Sequence, residues 1–144
     1  MKIVAVTPLL GFSQEKPAPL APDLVKEFVI AGHGNLPKVK ELLTQQPALL
    51  NAAWDWGGGD FESALEGAGH VGNREIAVFL ISQGARMNIF AAAMLGQLDV
   101  VRSILTAFPD LKTSKGPHGL MLMHHANKSG SAEMIQYLKE IGAT

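Results

Sequence analysis

The sequence predicts an all-α fold, a solenoid of about four helix-turn-helix repeats, and an internal repeat is the main observation behind this prediction. Most copies have a glycine, then an acidic residue or proline three residues later, and apolar residues at four, five, eight and nine residues after the glycine. The glycines are Gly34, Gly72, Gly96 and Gly130. Their intervals of 38, 24 and 34 residues have a mean of 32, which is typical of stacked helical repeats.

A period of 3.6 residues in the apolar positions places two helices in each repeat. The first helices are predicted at about residues 22–32, 63–69, 89–95 and 120–128, and the second helices at about 36–46, 73–83, 97–107 and 131–141. Glu75, Asp99 and Glu133 lie in the first turn of a predicted second helix, where the helix dipole favours negative charge. Gly84 and Gly142 lie where second helices are expected to end. These signals agree with the periodicity.

The spacing also predicts two long fingers between repeats, at about residues 51–62 and 110–120. The interval of 24 residues is short because Asn88 leads directly into the next helix, so the hairpin between the second and third repeats is expected to be missing. The two long fingers would then flank a notch in the surface, at the position where the hairpin is missing. Its predicted lining is Trp56, Phe61, Glu62, Pro117, His118, Leu120, Phe90 and Met94. The alternative is that side chains fill this space.

The repeat resembles the ankyrin family. Residues 63–68 stand where that family has a T-P-L-H-x-A-like segment, and residues 84–88 stand where it has a Gly-Ala-Asp-x-Asn-like tail. Residues 121–126 form a looser copy of the first segment, and the resemblance covers roughly residues 23–144. It implies an ankyrin-repeat solenoid, similar to small bacterial ankyrin-repeat proteins, that acts without catalysis in protein–protein interaction. It also implies a structural hydrogen-bonding role for His124.

The first 21 residues differ from the rest and are predicted to be an apolar, proline-rich arm or a remnant signal segment. Residues 1–13 resemble a short signal peptide, so both a cytoplasmic and an exported protein fit the sequence. The apolar run is too short to span a membrane. A third hypothesis is self-association through this arm. The ankyrin-like domain is predicted at residues 22–144, with repeats at about 22–51, 52–88, 89–111 and 112–144.

Composition excludes several classes of function. Apolar residues make up 47% of the chain and charged residues 17%, which predicts an ordered core. The net charge is -1 without a Lys/Arg cluster, so nucleic acid is not an expected partner. The sequence contains no cysteine, which excludes disulfides, thiolate catalysis and cysteine–zinc sites.

The fingers are the strongest candidates for a partner-binding surface. Trp54 and Trp56 are the two tryptophans of the chain, and on an extended segment their side chains would lie on the same side. Tryptophan is enriched at binding hot spots. The predicted partner-binding residues are Trp54, Asp55, Trp56, Asp60, Phe61, Glu62, His118 and Met121. The alternative is that the tryptophan rings fold back over the helices.

The sequence shows no catalytic motif and predicts no cofactor and no metal site. His124 and His125 are adjacent on a predicted helix and would point about 100° apart, which disfavours a shared metal ion. His33 and His70 lie near turns, where local hydrogen bonds explain them. The runner-up function is a small-molecule or hydrolytic site in the notch. Its base would be His118 or His124, and its acid Asp60 or Glu62.

Overall fold

The computed structural model describes residues 16–143, and this part of the chain is mostly helical, with one small sheet. Its helices are α1 (Pro22–Gly32), α2 (Leu36–Gln45), α3 (Ala64–Val71), α4 (Arg74–Ser82), α5 (Ile89–Met94), α6 (Leu98–Ala107), α7 (Leu122–Ser129) and α8 (Ala132–Glu140). The predicted helical class is confirmed, and the periodicity located every one of these helices to within about two residues. Most of the predicted N-terminal arm, residues 1–15, lies outside the described residues.

Side-chain caps and glycines define the helix ends. The side chains of Asn73 and Ser131 accept the backbone N–H of the third residue that follows, at 3.1 and 3.2 Å. Such caps satisfy amide groups that have no partner inside the helix. Gly72 and Gly130 end the preceding helices with φ of 82° and 68°, a left-handed conformation that glycine adopts without strain. The repeated glycines of the sequence therefore mark the turns between paired helices.

The first helix of each pair packs against the first helix of the next pair. Contacts run from α1 to α3, from α3 to α5 and from α5 to α7, and each of these helices also packs against the helix that follows it. Small residues allow this close approach: a Cβ added at Gly32 would lie 2.6 Å from the carbonyl oxygen of Ala64. The four first helices thus form one tightly packed row.

The core consists of two apolar clusters that meet at α5. The first cluster includes the fully buried Phe28 and Leu80, and the second includes Leu122 and Leu138. Helix α5 contributes to both, because Ala91, Met94 and the following Leu95 pack in the first cluster, whereas Ile89, Ala92 and Ala93 pack in the second. This short, almost entirely buried helix therefore joins the two halves of the molecule.

Two fingers extend from the row of helices. The first is an antiparallel hairpin of β1 (Ala53–Asp55) and β2 (Phe61–Ser63), and it follows a 3-10 helix at Pro47–Asn51. The second contains 3-10 helices at Pro109–Thr113 and Pro117–Gly119. Residues 83–88, between α4 and α5, form no strand, in agreement with the predicted missing hairpin. Within residues 16–143, every helix is too short or too polar to cross a membrane.

Candidate functional site

The carboxylate of Glu62 is fully buried at the base of the first finger. The hairpin register pairs Trp54 with Glu62 and Asp55 with Phe61. Side chains of directly paired residues lie on the same face of a sheet, and the face alternates along each strand. Trp54 and Glu62 therefore face the helices, whereas Asp55 and Phe61 face outward, and Phe61 is 60% exposed. The finger thus places an acid where an apolar side chain is usual.

Three imidazole rings surround this carboxylate. The Nδ1 atom of His70 lies 2.8 Å from Glu62 Oε1, and the Nε2 atom of His118 lies 3.4 Å from the same oxygen. The Nε2 atom of His33 lies 3.4 Å from Glu62 Oε2. The His70 ring packs edge-on against the other two, with ring centroids 4.9 Å from His33 and 5.1 Å from His118. The site therefore gathers residues from four separate segments.

The local structure around each histidine fixes its ring. His33 follows α1, and its Nδ1–H donates to the carbonyl of Val29 at 3.0 Å. His70 lies in the last turn of α3, and its carbonyl accepts a hydrogen bond from His124 Nε2 at 2.8 Å. The first bond fixes the His33 ring at the end of α1, and the second joins α7 to α3. The contact of His124 gives it the structural hydrogen-bonding role that the ankyrin resemblance implies.

Asp60 connects the second finger to the first. It accepts the backbone N–H of His118 on Oδ1 and the Nδ1–H of the same residue on Oδ2, both at 2.8 Å. His118 has a φ of 58°, a left-handed conformation that is uncommon for residues other than glycine. The two bonds to Asp60 hold this conformation and direct Nε2 of the ring toward Glu62.

Trp56 completes the surroundings of the carboxylate. Its indole Nε1–H donates to Glu62 Oε2 at 2.8 Å, and its ring centroid lies 6.1 Å from the ring centroid of His118. The side chain remains 38% exposed. Trp56 therefore binds the buried acid with its polar edge and presents apolar surface to solvent.

Electrostatics keep Glu62 ionised despite its burial. Burial by itself raises the pKa of this carboxyl, but the interactions with His33, His70 and Trp56 outweigh it and hold the pKa well below its usual range. The hydrogen bond to Glu62 in turn raises the pKa of His33, and burial opposes this increase only in part. The pKa of Asp60 is lowered, first by the backbone N–H of His118. The site is thus a buried anion with imidazoles around it.

A shallow pocket lies over the cluster. It has a volume of about 380 Å³ and is lined by Ile30, His33, Trp56 and His118. Ile30 is 52% exposed, although it belongs to the same helix as the fully buried Phe28. The pocket is therefore a mostly apolar surface placed directly over the buried carboxylate, with two of the three histidines in its lining.

No protein-family model matches this chain. A search of curated proteins found no match either. A fold alone does not define a function, so the chemistry of the site itself has to carry the functional argument.

The structure separates the predicted partner-binding residues into three groups. Trp54 is half-buried against the first cluster, with the Lys26 ammonium 5.3 Å from its ring centroid. Glu62 is fully buried and so cannot contact a partner, contrary to the expectation from the sequence. The remaining residues are at least partly accessible, and these are Asp55, Trp56, Asp60, Phe61, His118 and Met121. Asp55 Oδ1 is also bonded to two amides of the glycine turn, from Gly57 at 2.9 Å and Gly59 at 3.1 Å.

The predicted open notch between the fingers is replaced by a contact between them. Asp60 and His118 join the finger tips, and Met94 and Pro117, predicted as floor and wall, are buried. The missing hairpin leaves only the short helix α5 between the two fingers, and the fingers meet across it. The alternative of a filled space is therefore the one observed.

Sequence reasoning missed His33 and His70 as site residues. The local hydrogen bond expected for His33 exists, but it uses only Nδ1 and leaves Nε2 facing Glu62. One signal was available: His33 and His70 occupy similar places in successive repeats, one and two residues before Gly34 and Gly72. Two histidines at matching places in stacked repeats are expected to lie close together.

Helix α3 offers a direct test of how the His33 ring is held. A Cβ added at Gly67 would lie 2.8 Å from Cε1 of that ring, whereas a Cβ at Gly69 would meet only ordinary contacts at 3.9 Å. We expect Gly67→Ala to lower the free energy of unfolding by about 1–3 kcal/mol, because the ring is pinned and has to shift. We expect Gly69→Ala to raise it by about 0.5–1 kcal/mol, since alanine favours the helix. Urea denaturation of both variants measures the difference, and equal stability would show that the His33 ring is loose.

Proposed function

We propose that this chain is a non-enzymatic binding module of stacked ankyrin-like repeats, and that its partner is a protein segment with an exposed apolar side chain. The observation that carries the proposal is the apolar pocket lined by Ile30, His33, Trp56 and His118. Four helix pairs in series, with fingers on two of the connections, support the ankyrin-like interpretation. The sequence resemblance supports it independently.

The pocket has the features of a hot spot in a protein interface. An aromatic ring and an aliphatic side chain are both substantially exposed there, with Trp56 at 38% and Ile30 at 52%. Trp56 is held by its hydrogen bond to Glu62, so its ring is ordered before a partner arrives. Buried aromatic anchors contribute most of the binding energy of many interfaces.

The charges around the pocket specify the partner further. Asp60 lies beside His118, and Asp55 is exposed on the same finger. The partly exposed carboxylate of Asp60 beside the pocket favours a partner with a lysine or arginine next to its apolar side chain. The proposed ligand is therefore a short segment that combines one large apolar residue with a neighbouring basic residue.

Selection from a random peptide library displayed on phage tests this proposal. The matched variants are Ile30→Ser in the pocket and Val78→Ser on α4, because both residues are 52% exposed. We expect the selected peptides to bind the Ile30→Ser variant at least about 10-fold more weakly, and the Val78→Ser variant with unchanged affinity. The proposal would be contradicted if no binding peptide were recovered, or if the selected peptides bound the wild type and the Ile30→Ser variant with equal affinity.

A hydrolytic or small-molecule site is the second candidate function. The observation that favours it is the hydrogen bond of 2.8 Å between His118 and Asp60, which resembles a general base oriented by a carboxylate. However, Nε2 of His118 faces the buried Glu62. Turnover of activated esters that is lost in a folded Asp60→Asn variant would favour this alternative over the binding module.

A further inference from the structure

The four side chains at the centre of the site have the spacing of metal ligands. One ligand atom from each of His33, Glu62, His70 and His118 lies within 4.8 Å of all the others. Bonds from zinc to nitrogen or oxygen are about 2.0–2.2 Å long, so two ligands of a tetrahedral ion lie about 3.4 Å apart. Glu62 Oε1 lies 3.4 Å from His118 Nε2 and 2.8 Å from His70 Nδ1, and Glu62 Oε2 lies 3.4 Å from His33 Nε2. Small side-chain shifts would bring all four atoms to bonding distance.

The outer contacts of the cluster are those that orient metal-binding histidines. Metal ligands of this type usually donate their second ring N–H to a carbonyl or a carboxylate. His33 does so to the carbonyl of Val29, and His118 does so to the carboxylate of Asp60. Because Nδ1 of each ring is engaged in this outward bond, Nε2 is the atom that would bind an ion, in place of a proton shared with Glu62. Trp56 similarly fixes the carboxylate through Oε2.

Two buried atoms in the cluster lack a well-directed hydrogen bond. These atoms are Glu62 Oε1 and His70 Nδ1, which lie 2.8 Å apart but do not form an aligned hydrogen bond. Buried polar atoms in native proteins nearly always have such a partner. One cation between the rings and the carboxylate would be a partner for both atoms. This observation is independent of the spacing.

We propose that His33, Glu62, His70 and His118 bind one divalent transition-metal ion of the zinc class. Three imidazoles and one carboxylate suit Zn²⁺, Co²⁺ or Ni²⁺, whereas Ca²⁺ and Mg²⁺ prefer oxygen ligands alone. Four protein ligands fill a tetrahedral shell, which is typical of a structural ion. This inference departs from the expectation drawn from the sequence, and it does not depend on the proposed protein partner.

The bound ion would join the end of α1, the first finger, the end of α3 and the second finger. The four ligands come from these four segments, and the finger tips already meet through Asp60 and His118. An ion that binds only the folded chain stabilises it in proportion to its affinity and concentration. We therefore expect added Zn²⁺ to raise the thermal unfolding midpoint of the metal-free protein, and added Mg²⁺ to leave it unchanged.

Metal titration of the full chain, without a polyhistidine tag and after chelator treatment, tests the proposal. Calorimetry with Zn²⁺ is expected to show one site per chain, and Co²⁺ is expected to give the visible absorption bands of a four-coordinate ion. The matched variants are His33→Gln, which removes one ligand, and His125→Gln, which removes a buried histidine outside the cluster. We expect at least a 100-fold loss of Zn²⁺ affinity in the first and less than a threefold change in the second.

Asp60→Asn keeps all four ligands and weakens only the contact that orients His118. A loss of about 10- to 100-fold in Zn²⁺ affinity is expected, and circular dichroism verifies that the variant folds. If His33→Gln does not fold, the Zn²⁺ affinity of Asp60→Asn still shows whether the ion binds at these four side chains. Absence of saturable binding to the wild-type chain would overturn the proposal. Affinity that is unchanged in the folded variants at His33 and Asp60 would also overturn it, because the ion would then lie elsewhere.

Discussion

Replacement of Glu62 by alanine is expected to lower the free energy of unfolding by about 3–5 kcal/mol, the largest effect of any single polar substitution in this chain. The carboxylate is fully buried, accepts the indole N–H of Trp56 and contacts three histidines. Its removal leaves the Trp56 N–H without an acceptor, takes away the negative charge that the three histidines contact, and opens a cavity. Urea denaturation of the wild type and the variant measures this loss.

Glu41→Ala is the matched control for this prediction. Glu41 is an exposed glutamate on α2 with a surface ion pair of 3.0 Å to Lys38. Surface pairs of this kind contribute about 0–1 kcal/mol. A Glu62→Ala variant no less stable than Glu41→Ala would show that the carboxylate does not organise the site. Glu62→Gln is expected to lower the free energy of unfolding less than Glu62→Ala does, since the glutamine side chain keeps the shape of glutamate and one acceptor oxygen.

Replacement of Phe28 by alanine is expected to cost about 3–5 kcal/mol of stability. Phe28 is fully buried in the first apolar cluster, so its removal combines lost apolar burial with a cavity that its neighbours fill only in part. Ile30→Ala on the same helix is the control, because 52% of that side chain is exposed and its loss is expected to be smaller. The midpoint of urea denaturation measures the loss of stability in each of the two variants. Equal losses of stability in the two variants would mean that Phe28 does not lie on the side of α1 that faces the core.

The helices were predictable because each one carries its own evidence in the sequence. In α4, Ile76, Ala77 and Leu80 are apolar at helical spacing and buried, and Asn73 and Gly84 flank the helix with cap and turn chemistry. These signals lie within about a dozen residues and depend little on the rest of the fold. The missing hairpin was predictable for the same reason, since it follows from a single short interval.

The site was predictable only in part: the sequence pointed to His118 beside Asp60 or Glu62, and the structure brings these three side chains together. The burial of Glu62 and its contacts with His33 and His70 were not predictable, because they depend on contacts between distant segments. Glu62 follows an aromatic residue in a glycine-rich finger, where an acid usually faces solvent. Its burial results from the pairing with Trp54 and from the packing of the hairpin on α1 and α3. The nearest of the three histidines along the chain is His70, eight residues away, and the farthest is His118, fifty-six residues away. No local motif spans such distances.

One acid connects the stability of the fold with the shape of the exposed pocket. The Trp56 ring that lines the pocket is held from below by Glu62, and the same carboxylate contacts His33 and His118, which also line the pocket. A change at Glu62 is therefore expected to affect both stability and the shape of the exposed surface.

The site depends on one arrangement, in which His33, His70 and His118 gather around the carboxylate of Glu62. A crystal structure of the full chain grown with Zn²⁺, with diffraction recorded on both sides of the zinc absorption edge, tests it most directly. We expect a buried Glu62 and one anomalous peak about 2.0–2.2 Å from the carboxylate and the three ring nitrogens. A structure in which Glu62 faces solvent would contradict this arrangement, and a peak away from these side chains would contradict the proposed metal site.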